Sequence, residues 1–263
     1  MLKTSKNMKP LFFKEQGSGP SLVFLHGFCE TSEIWDDFVK PFSKDFRVVT
    51  IDLPGFGNSE MLPSPFSIDQ VGDIVAETLV KNKISDCVLI GHSLGGYVAL
   101  SLLQNHPQLL KGLGLFHSSA FADPEEKKEN RNKVIEFVKK NGVPPFLDTF
   151  VPGLFFDKKN PYIDRTFEIA AQAKAITIQE YSAAMRDRPD RSALWKESAI
   201  TKLLIAGIED TVIPMKVSLE LAKIGRNVSF QKLEKTGHMG FFEAKRESQE
   251  MIKRFTYQIF SIK

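Results

Sequence analysis

The chain has 263 residues, 42% hydrophobic and 25% charged, which is an ordinary globular composition with room for one large α/β domain or two small ones. Its 35 Lys+Arg against 32 Asp+Glu leave a net charge of +3, too small a surplus to indicate nucleic acid or an anionic membrane as the main partner. The two cysteines cannot form a disulfide framework, so a reducing compartment is expected.

Residues 1–13 carry lysines but no continuous apolar segment and no small-residue cleavage site, so secretion is not expected. No apolar run reaches the roughly 20 residues that a membrane-spanning helix needs. We therefore expect a cytoplasmic protein that acts on a small molecule, with no membrane and no nucleic-acid partner. The oligomeric state is not indicated.

Short apolar runs alternate with amphipathic helical patterns along the chain. Residues 11–15, before Gly17 and Gly19, predict an edge hairpin. Buried parallel strands are predicted at 22–25, 48–51, 88–90 and 203–205, and weaker ones at 113–116 and 228–233. Helical faces are formed by Ile68, Val71, Ile74, Val75 and Leu79, and by Val98, Leu102 and Leu103. This alternation predicts an α/β fold with a mostly parallel, doubly wound sheet.

The alternation stops between residues 121 and 195, where helical patterns at 130–140 and 169–185 are separated by proline-rich breaks at 143–145 and 151–153. We interpret 121–195 as an inserted helical cap (lid), and 1–120 with 196–263 as the core. The cap would cover the C-terminal edge of the sheet, where ligands of open α/β sheets bind. The charged segment 186–191 is expected to be a solvated loop rather than an internal ion-pair hinge.

The most specific local signal is the segment 88–96, in which a buried strand runs into Gly91-His92-Ser93-Leu94-Gly95 and then into an apolar-faced helix. A serine on such a sharp turn projects its hydroxyl above the sheet, and the flanking glycines let strand and helix approach. Ser93 is therefore the candidate nucleophile. The free N–H groups at the start of the helix point at an oxyanion formed there, so Leu94 is the first candidate oxyanion donor.

Another strand end, at 22–25, is followed by His26-Gly27-Phe28, where the glycine would let the backbone fold over the same site. The N–H of Phe28 is the second candidate oxyanion donor. His26 is expected to be fixed by hydrogen bonds to nearby backbone rather than to act in catalysis.

A catalytic base needs a histidine on a loop, held in one tautomer by a carboxylate. His238 lies between Gly237 and Gly240 after the last predicted strand and is the best candidate, with His117 second. His92 is expected to face the other side of the turn, and His106 to cap a helix. For the acid, the strand end at 203–210 offers Glu209 and Asp210, and the residue pattern leaves that choice open.

These segments together resemble the α/β-hydrolase superfamily: residues 26–28, 52–59, 91–96, 207–214 and 237–238 have its motifs in its order. The resemblance covers the chain outside the cap. It implies that Asp210 is the acid, because the family pattern is Gly-x-x-Asp followed by proline four residues later. It also implies that 52–59 is a structural turn near the site. The serine nucleophile argues against the branches that use aspartate to open epoxides or remove halides.

The expected function is hydrolysis of a carboxylic ester with a small or medium apolar acyl group, through Ser93, His238 and Asp210 and an acyl-enzyme. The alternatives are amide, thioester or carbon–carbon hydrolysis or cofactor-free haloperoxidase activity with the same triad, and a ligand-binding or signalling protein with the hydrolase fold. No cofactor and no metal are expected, because the cysteines and histidines lack ligand spacing. Phe121, Phe146, Phe150 and Met239 are the candidate substrate contacts, although packing of cap on core accounts for the phenylalanines at least as well.

Overall fold

The computed structural model describes residues 9–262, which form a seven-stranded sheet flanked by helices. The strands are β1 (Phe13–Gln16), β2 (Ser21–Leu25), β3 (Arg47–Ile51), β4 (Cys87–His92), β5 (Leu110–Phe116), β6 (Thr201–Gly207) and β7 (Val228–Leu233). The helices are α1 (Ile68–Lys81), α2 (Leu94–Asn105), α3 (Glu125–Asn141), α4 (Pro144–Gly153), α5 (Tyr162–Ala170), α6 (Ala175–Arg186), α7 (Ser192–Glu197), α8 (Met215–Ile224), α9 (Gly240–Glu243) and α10 (Lys245–Phe260). Short 3-10 helices lie at Ser32–Trp35, Lys40–Lys44 and Pro107–Leu109.

The strand order is β1-β3-β2-β4-β5-β6-β7, and every neighbouring pair is parallel except β1 with β3. This confirms the predicted fold class. All six predicted parallel strands are present, and most extend one or more residues beyond the apolar run. The central strand β4 is buried along its whole length, because a parallel strand inside the sheet is covered on both faces.

The first strand differs from the prediction. The segment 11–15 was expected to fold back on its neighbour as a hairpin, but β1 pairs antiparallel with β3, two positions along the chain order. The turn between β1 and β2 instead packs Gly17 and Gly19 against the backbone of residues 43–46 at positive φ of 77° and 111°. One edge of the sheet is therefore formed by β1 alone, as the antiparallel neighbour of β3.

Five helices, α3 to α7, lie between β5 and β6, where the cap was predicted. The prediction of one helix over 169–185 is wrong, because α5 ends at Ala170 and α6 begins at Ala175 after a short turn. The prolines also act differently from simple breakers. Pro144 is the first residue of α4, a position where its missing N–H costs nothing. Pro152 lies in the last turn of α4, where the helix ends one residue later.

The expectation that no leader segment precedes the core concerns in part residues 1–8, which lie outside the described residues. Among the helices of residues 9–262, none is both long enough and apolar enough to cross a bilayer.

The charged segment 186–191 is not the solvated loop that the sequence suggested. The Arg188 side chain is only 4% exposed and lies 2.9 Å from Asp123, which is 1% exposed. Its guanidinium also lies 3.8 Å from the ring centre of Tyr97. Arg191 is likewise buried and forms an ion pair with Asp69. The Arg188–Asp123 pair therefore lies within the cap, while Arg188 on Tyr97 and Arg191 with Asp69 join the cap to the core.

We expect Arg188→Met to lower the free energy of unfolding by about 3 kcal/mol, because the change breaks a buried ion pair and leaves the Met185 and Phe121 carbonyls without this donor. Arg186→Met is the matched control two residues away, since Arg186 pairs with the largely exposed Asp187 and its loss should change stability by less than about 1 kcal/mol. Urea denaturation of both variants measures the difference. Equal stability losses would contradict the assignment of Arg188 as the buried anchor.

Candidate active site

Ser93 lies at the sharp turn between β4 and α2, with φ 48° and ψ −113°. These backbone angles are strained for a residue with a side chain and persist only where the surroundings impose them. The Ser93 N–H donates to the Phe116 carbonyl at 3.0 Å, and its carbonyl accepts from the Ser118 hydroxyl at 2.7 Å and from the Gly96 N–H at 2.9 Å. The end of β5 therefore holds the turn from both sides.

The two glycines of the turn are required by close packing. A Cβ on Gly91 would collide with the backbone of Gly95, and a Cβ on Gly95 would collide with the Leu25 carbonyl at the end of β2. The helix α2 thus starts in direct contact with two strand ends, as the motif predicted.

His238 lies on the loop between β7 and α9. Its backbone N–H donates to the Leu154 carbonyl at 2.7 Å, just after α4. The carboxylate of Glu243 accepts from the N–H groups of Gly237 at 2.9 Å and Met239 at 3.3 Å, on either side of the histidine. Burial raises the pKa of Glu243, against the opposing effect of these backbone donors. Glu243 therefore organises the loop, a role that the sequence analysis did not identify.

Asp210 is fully buried and its two oxygens have different partners. Oδ1 accepts from the backbone N–H of Val212 at 2.8 Å and of Ile213 at 2.9 Å. Oδ2 lies 2.8 Å from Nδ1 of His238 and 3.0 Å from Nδ1 of His117. Burial by itself would raise the pKa of Asp210, but interaction with His238 and the hydrogen bonds with both imidazoles lower it well below the ordinary value.

The other acid of the pair, Glu209, is exposed. Asp210 itself accepts two backbone hydrogen bonds from the following turn. One carboxylate thus links the strand end, the turn before α8 and the His238 loop.

His117 follows β5 with φ 49° and was ranked only second as a base. Its ring is completely buried, with Nδ1 3.0 Å from the Asp210 carboxylate and 3.3 Å from the Gly207 nitrogen. We assign a proton to Nδ1, because the carboxylate is the closer partner and offers only acceptors. Burial lowers the pKa of His117 to about 4, although Asp210 opposes the shift. The ring is therefore neutral near pH 7. No local feature of the sequence indicates this contact, since the two residues are 93 positions apart.

His92, beside the nucleophile, belongs to a second buried pair. Its Nδ1 lies 3.0 Å from Oε2 of Glu30, and its Nε2 lies 3.0 Å from the His238 carbonyl. Burial alone would favour the neutral forms, but each partner stabilises the charge of the other, so the pKa of His92 is raised and that of Glu30 is lowered. A buried acid–imidazole pair therefore lies against the nucleophile turn. Glu30 was not among the candidates predicted from the sequence.

The remaining predicted backbone positions lie at the strand ends. Leu94 is the first residue of α2, so its N–H has no acceptor inside the helix. The N–H of Phe28 donates to no other residue in the part of the chain that the structure describes. His26 is buried and held by backbone, with Nε2 accepting from the Leu53 N–H at 2.9 Å, in agreement with its expected structural role.

Ser93 and His238 face one small pocket of about 30 Å³. A larger cavity of about 770 Å³ lies beside it, under α3 and α4 and against the turn before α8. Among residues 9–262, no hydrogen bond joins the Ser93 hydroxyl to His238. Such contacts are often loose in enzymes without substrate.

The candidate substrate contacts are divided between these spaces. Phe150 lines both, and Phe121 lines the larger cavity. Phe146 stacks on Phe150 with ring centres 4.9 Å apart and is absent from both linings. Met239 is fully buried and also absent from them. The four residues stay candidates, with Phe150 the best placed.

His117, Asp210 and His238 also bring three potential metal-ligand atoms within 4.8 Å of one another. The nitrogen–oxygen distances of 2.8 and 3.0 Å are those of hydrogen bonds, and both Nδ1 atoms are engaged with the same oxygen. A hydrogen-bonded network therefore accounts for the cluster.

The model of the alpha/beta hydrolase family matches residues 22–249. A pimeloyl-[acyl-carrier protein] methyl ester esterase of Wigglesworthia glossinidia brevipalpis is 30% identical over 220 residues, which cover 80% of this chain and 83% of that protein. The enzyme of the same name from Pseudoalteromonas atlantica is 38% identical over 104 residues, and that match spans only 39% of each chain.

Among solved structures, an esterase of Thermogutta terrifontis superimposes with a TM-score of 0.89 at 25% sequence identity, over 95% of this chain and 93% of that one. Residues 22–249, which the family model matches, contain every residue of the site described above. The chain therefore belongs to the α/β-hydrolase family.

Proposed function

We propose that this protein hydrolyses carboxylic esters that carry a small or medium apolar acyl group, with Ser93 as nucleophile, His238 as base and Asp210 as acid. The observation that carries the proposal is the strained turn of Ser93 in one pocket with an imidazole whose Nδ1 is hydrogen-bonded to a buried carboxylate. The two relatives named as methyl ester esterases support an ester as the bond that is cleaved.

The charge states around His238 suit a general base. The Asp210 carboxylate accepts from Nδ1, which leaves Nε2 of His238 as the nitrogen without a proton. Nε2 takes the proton of Ser93 as its oxygen attacks the ester carbonyl, and the imidazolium then protonates the leaving alcohol. Water repeats the attack on the acyl-enzyme and regenerates Ser93. Asp210 stays ionised throughout and stabilises the imidazolium.

The N–H groups of Phe28 and Leu94 are proposed to bind the oxyanion of the tetrahedral intermediate. Both follow strand ends that converge on Ser93. Neither N–H donates to a backbone carbonyl among residues 9–262, as an N–H inside a helix would. A donor of this kind contributes about 3 kcal/mol to the transition state.

We propose that residues 121–195 act as the cap of the site. The Leu154 carbonyl at the end of α4 fixes the backbone of His238, and Phe150 of the same helix lines both cavities. Apolar side chains of the larger cavity, including Phe121, Val134 and Phe150, would contact the acyl chain. The cap would thus position the base and shape the substrate space.

His117 is proposed to hold Asp210 in place as a second donor to Oδ2. A neutral imidazole satisfies the acceptor without bringing a second positive charge beside His238. The ring has little freedom, because added Cβ atoms on Gly207 or Gly240 would collide with it.

Ser93→Ala or His238→Ala should lower the turnover of p-nitrophenyl esters by about 10⁴- to 10⁶-fold, because the triad acts as a unit. A fluorophosphonate probe should label the wild-type protein and not Ser93→Ala. Ser229→Ala, at an exposed position of β7, is the matched control and should keep both labelling and turnover. A loss of less than about tenfold in Ser93→Ala would remove this serine from the mechanism.

His117 should make the protein less stable in acid. Its pKa is about 4 in the fold against 6.5 for the ordinary imidazole, so below pH 6.5 the unfolded chain binds a proton that the folded chain does not. The contribution is complete above pH 6.5 and is lost as the pH falls toward 4, at about 1.4 kcal/mol per pH unit at its steepest.

His117→Asn should remove this part of the pH dependence, since asparagine keeps a donor near the Nδ1 position and tolerates positive φ. Urea denaturation between pH 4 and pH 7 measures the slope in both proteins. Parallel curves for wild type and variant would show that His117 binds its proton as readily in the fold as outside it.

A further inference from the structure

The nucleophile pocket and the larger cavity share a wall formed by Arg131, Phe150 and Val212, each of which lines both spaces. Phe150 and Val212 are apolar, so Arg131 is the charged group at this boundary. It is placed there by α3, the first helix after β5. A molecule that reaches from Ser93 into the larger cavity must pass this guanidinium.

Arg131 has hydrogen-bond donors that the protein does not use. Its Nε donates to Oδ2 of Asp123 at 3.2 Å, whereas its two Nη atoms have no acceptor among residues 9–262. The neighbouring Arg188 differs, because its Nη atoms donate to the Met185 and Phe121 carbonyls at 2.7 and 2.9 Å. Arg188 therefore has a structural role. The two Nη groups of Arg131, which form the fork of its guanidinium, are available to a ligand.

The charge around Arg131 is unbalanced. Asp123 is a single carboxylate, with Arg188 at 2.9 Å, Arg131 at 3.2 Å and Lys127 at 3.9 Å. Burial alone would raise the pKa of Tyr97, which lines the nucleophile pocket, but Arg188, Lys127 and Arg131 lower it. The cations beside Asp123 therefore outnumber its single negative charge.

The larger cavity has the same excess. Its charged lining consists of the cations Lys127, Arg131, Arg188 and Lys216 and the acids Asp123, Glu126 and Glu220. One positive charge remains, which a monoanion would neutralise. A carboxylate carries one negative charge, which matches this excess, whereas a dianion would exceed it. A carboxylate is also planar, so its two oxygens can accept from the two parallel N–H donors of a guanidinium.

We propose that Arg131 binds a carboxylate on one arm of the ester, so that the preferred substrates are esters with an apolar chain that ends in a carboxylate. The inference rests on the proposed ester hydrolysis and refines it. The apolar walls contact the chain, and the open guanidinium fork binds its charged end. The shared chemistry is a carboxylate on either arm: a half-ester of a dicarboxylic acid carries it on the acyl arm, and an acylated ω-hydroxy acid carries it on the alcohol arm.

The test compares kcat/KM at pH 7 for three substrate series: monomethyl esters of succinic, glutaric and adipic acids, their dimethyl esters, and acetate esters of ω-hydroxy acids with their methyl esters. We expect the wild-type protein to prefer the charged member in one of the two arms by about tenfold or more. Arg131→Met should lower kcat/KM for that charged substrate by about 10- to 100-fold, mainly through KM, and change the neutral one by less than threefold, since one charged hydrogen-bonded contact is lost.

Two variants complete the comparison. Arg131→Lys keeps the charge without the fork and should fall between wild type and Arg131→Met. Lys133→Met, an exposed position on the same helix, is the matched control and should leave both substrate classes unchanged. If the wild-type protein prefers the neutral ester in both arms, or if Arg131→Met loses both classes equally while its thermal melt is unchanged, the subsite is wrong. If Arg131→Met does not fold, the wild-type preference and Arg131→Lys decide.

A failure of ester hydrolysis is distinguishable from a failure of the subsite. Calorimetric titration of Ser93→Ala with the charged and the neutral ester of each arm, among them monomethyl and dimethyl glutarate, reports binding without turnover. Tighter binding of the charged ester in one arm, lost when Arg131→Met is added, supports the subsite even if no ester is hydrolysed by the wild type. Equal binding of the charged and the neutral ester in both arms would refute it whatever the wild type hydrolyses.

Discussion

The geometry of the site depends on the desolvated carboxylate of Asp210. Such a group is stable in the interior only when its lone pairs are matched by donors, and here four donors come from three separate segments. Two backbone N–H groups fix the turn that follows β6. His117 comes from the end of β5, and His238 comes from the loop after β7. The requirement to solvate one negative charge thus brings three strand ends together.

The nucleophile is held by a different constraint, which is the close approach of backbone. Ser93 adopts its strained angles because β4 and α2 meet at glycines and because the end of β5 binds both its N–H and its carbonyl. The same strand β5 provides His117 to the acid. A movement of its end would disturb the nucleophile and the acid together, so β5 couples the two halves of the triad mechanically.

The sequence predicted the sheet and the elbow because both are encoded locally. A strand buried on two faces needs a continuous apolar run, and a tight strand-to-helix turn needs glycines at fixed offsets. The choice of Asp210 over Glu209 needed the family resemblance, since the two adjacent carboxylates are locally equivalent. The structure separates them by burial, with Asp210 inside and Glu209 exposed.

What the sequence did not predict are contacts between distant residues. Glu30 with His92 and His117 with Asp210 are 62 and 93 positions apart. Arg188 illustrates the same limit, since a segment of alternating charges is usually solvated and only the position of Asp123 and Tyr97 makes it a buried anchor. Local composition gives the number of charges and not their partners.

These partners determine which charge remains available to a substrate. Around the nucleophile, Glu30 pairs with His92, and both oxygens of Asp210 have hydrogen-bond donors. In the cap, Asp123 is shared by more cations than it can neutralise, and Arg188 uses its remaining donors on backbone carbonyls. The acids near Ser93 therefore have close donors, whereas the two Nη groups of Arg131 have no acceptor among residues 9–262. A carboxylate on the substrate would supply that acceptor at the wall between the two cavities.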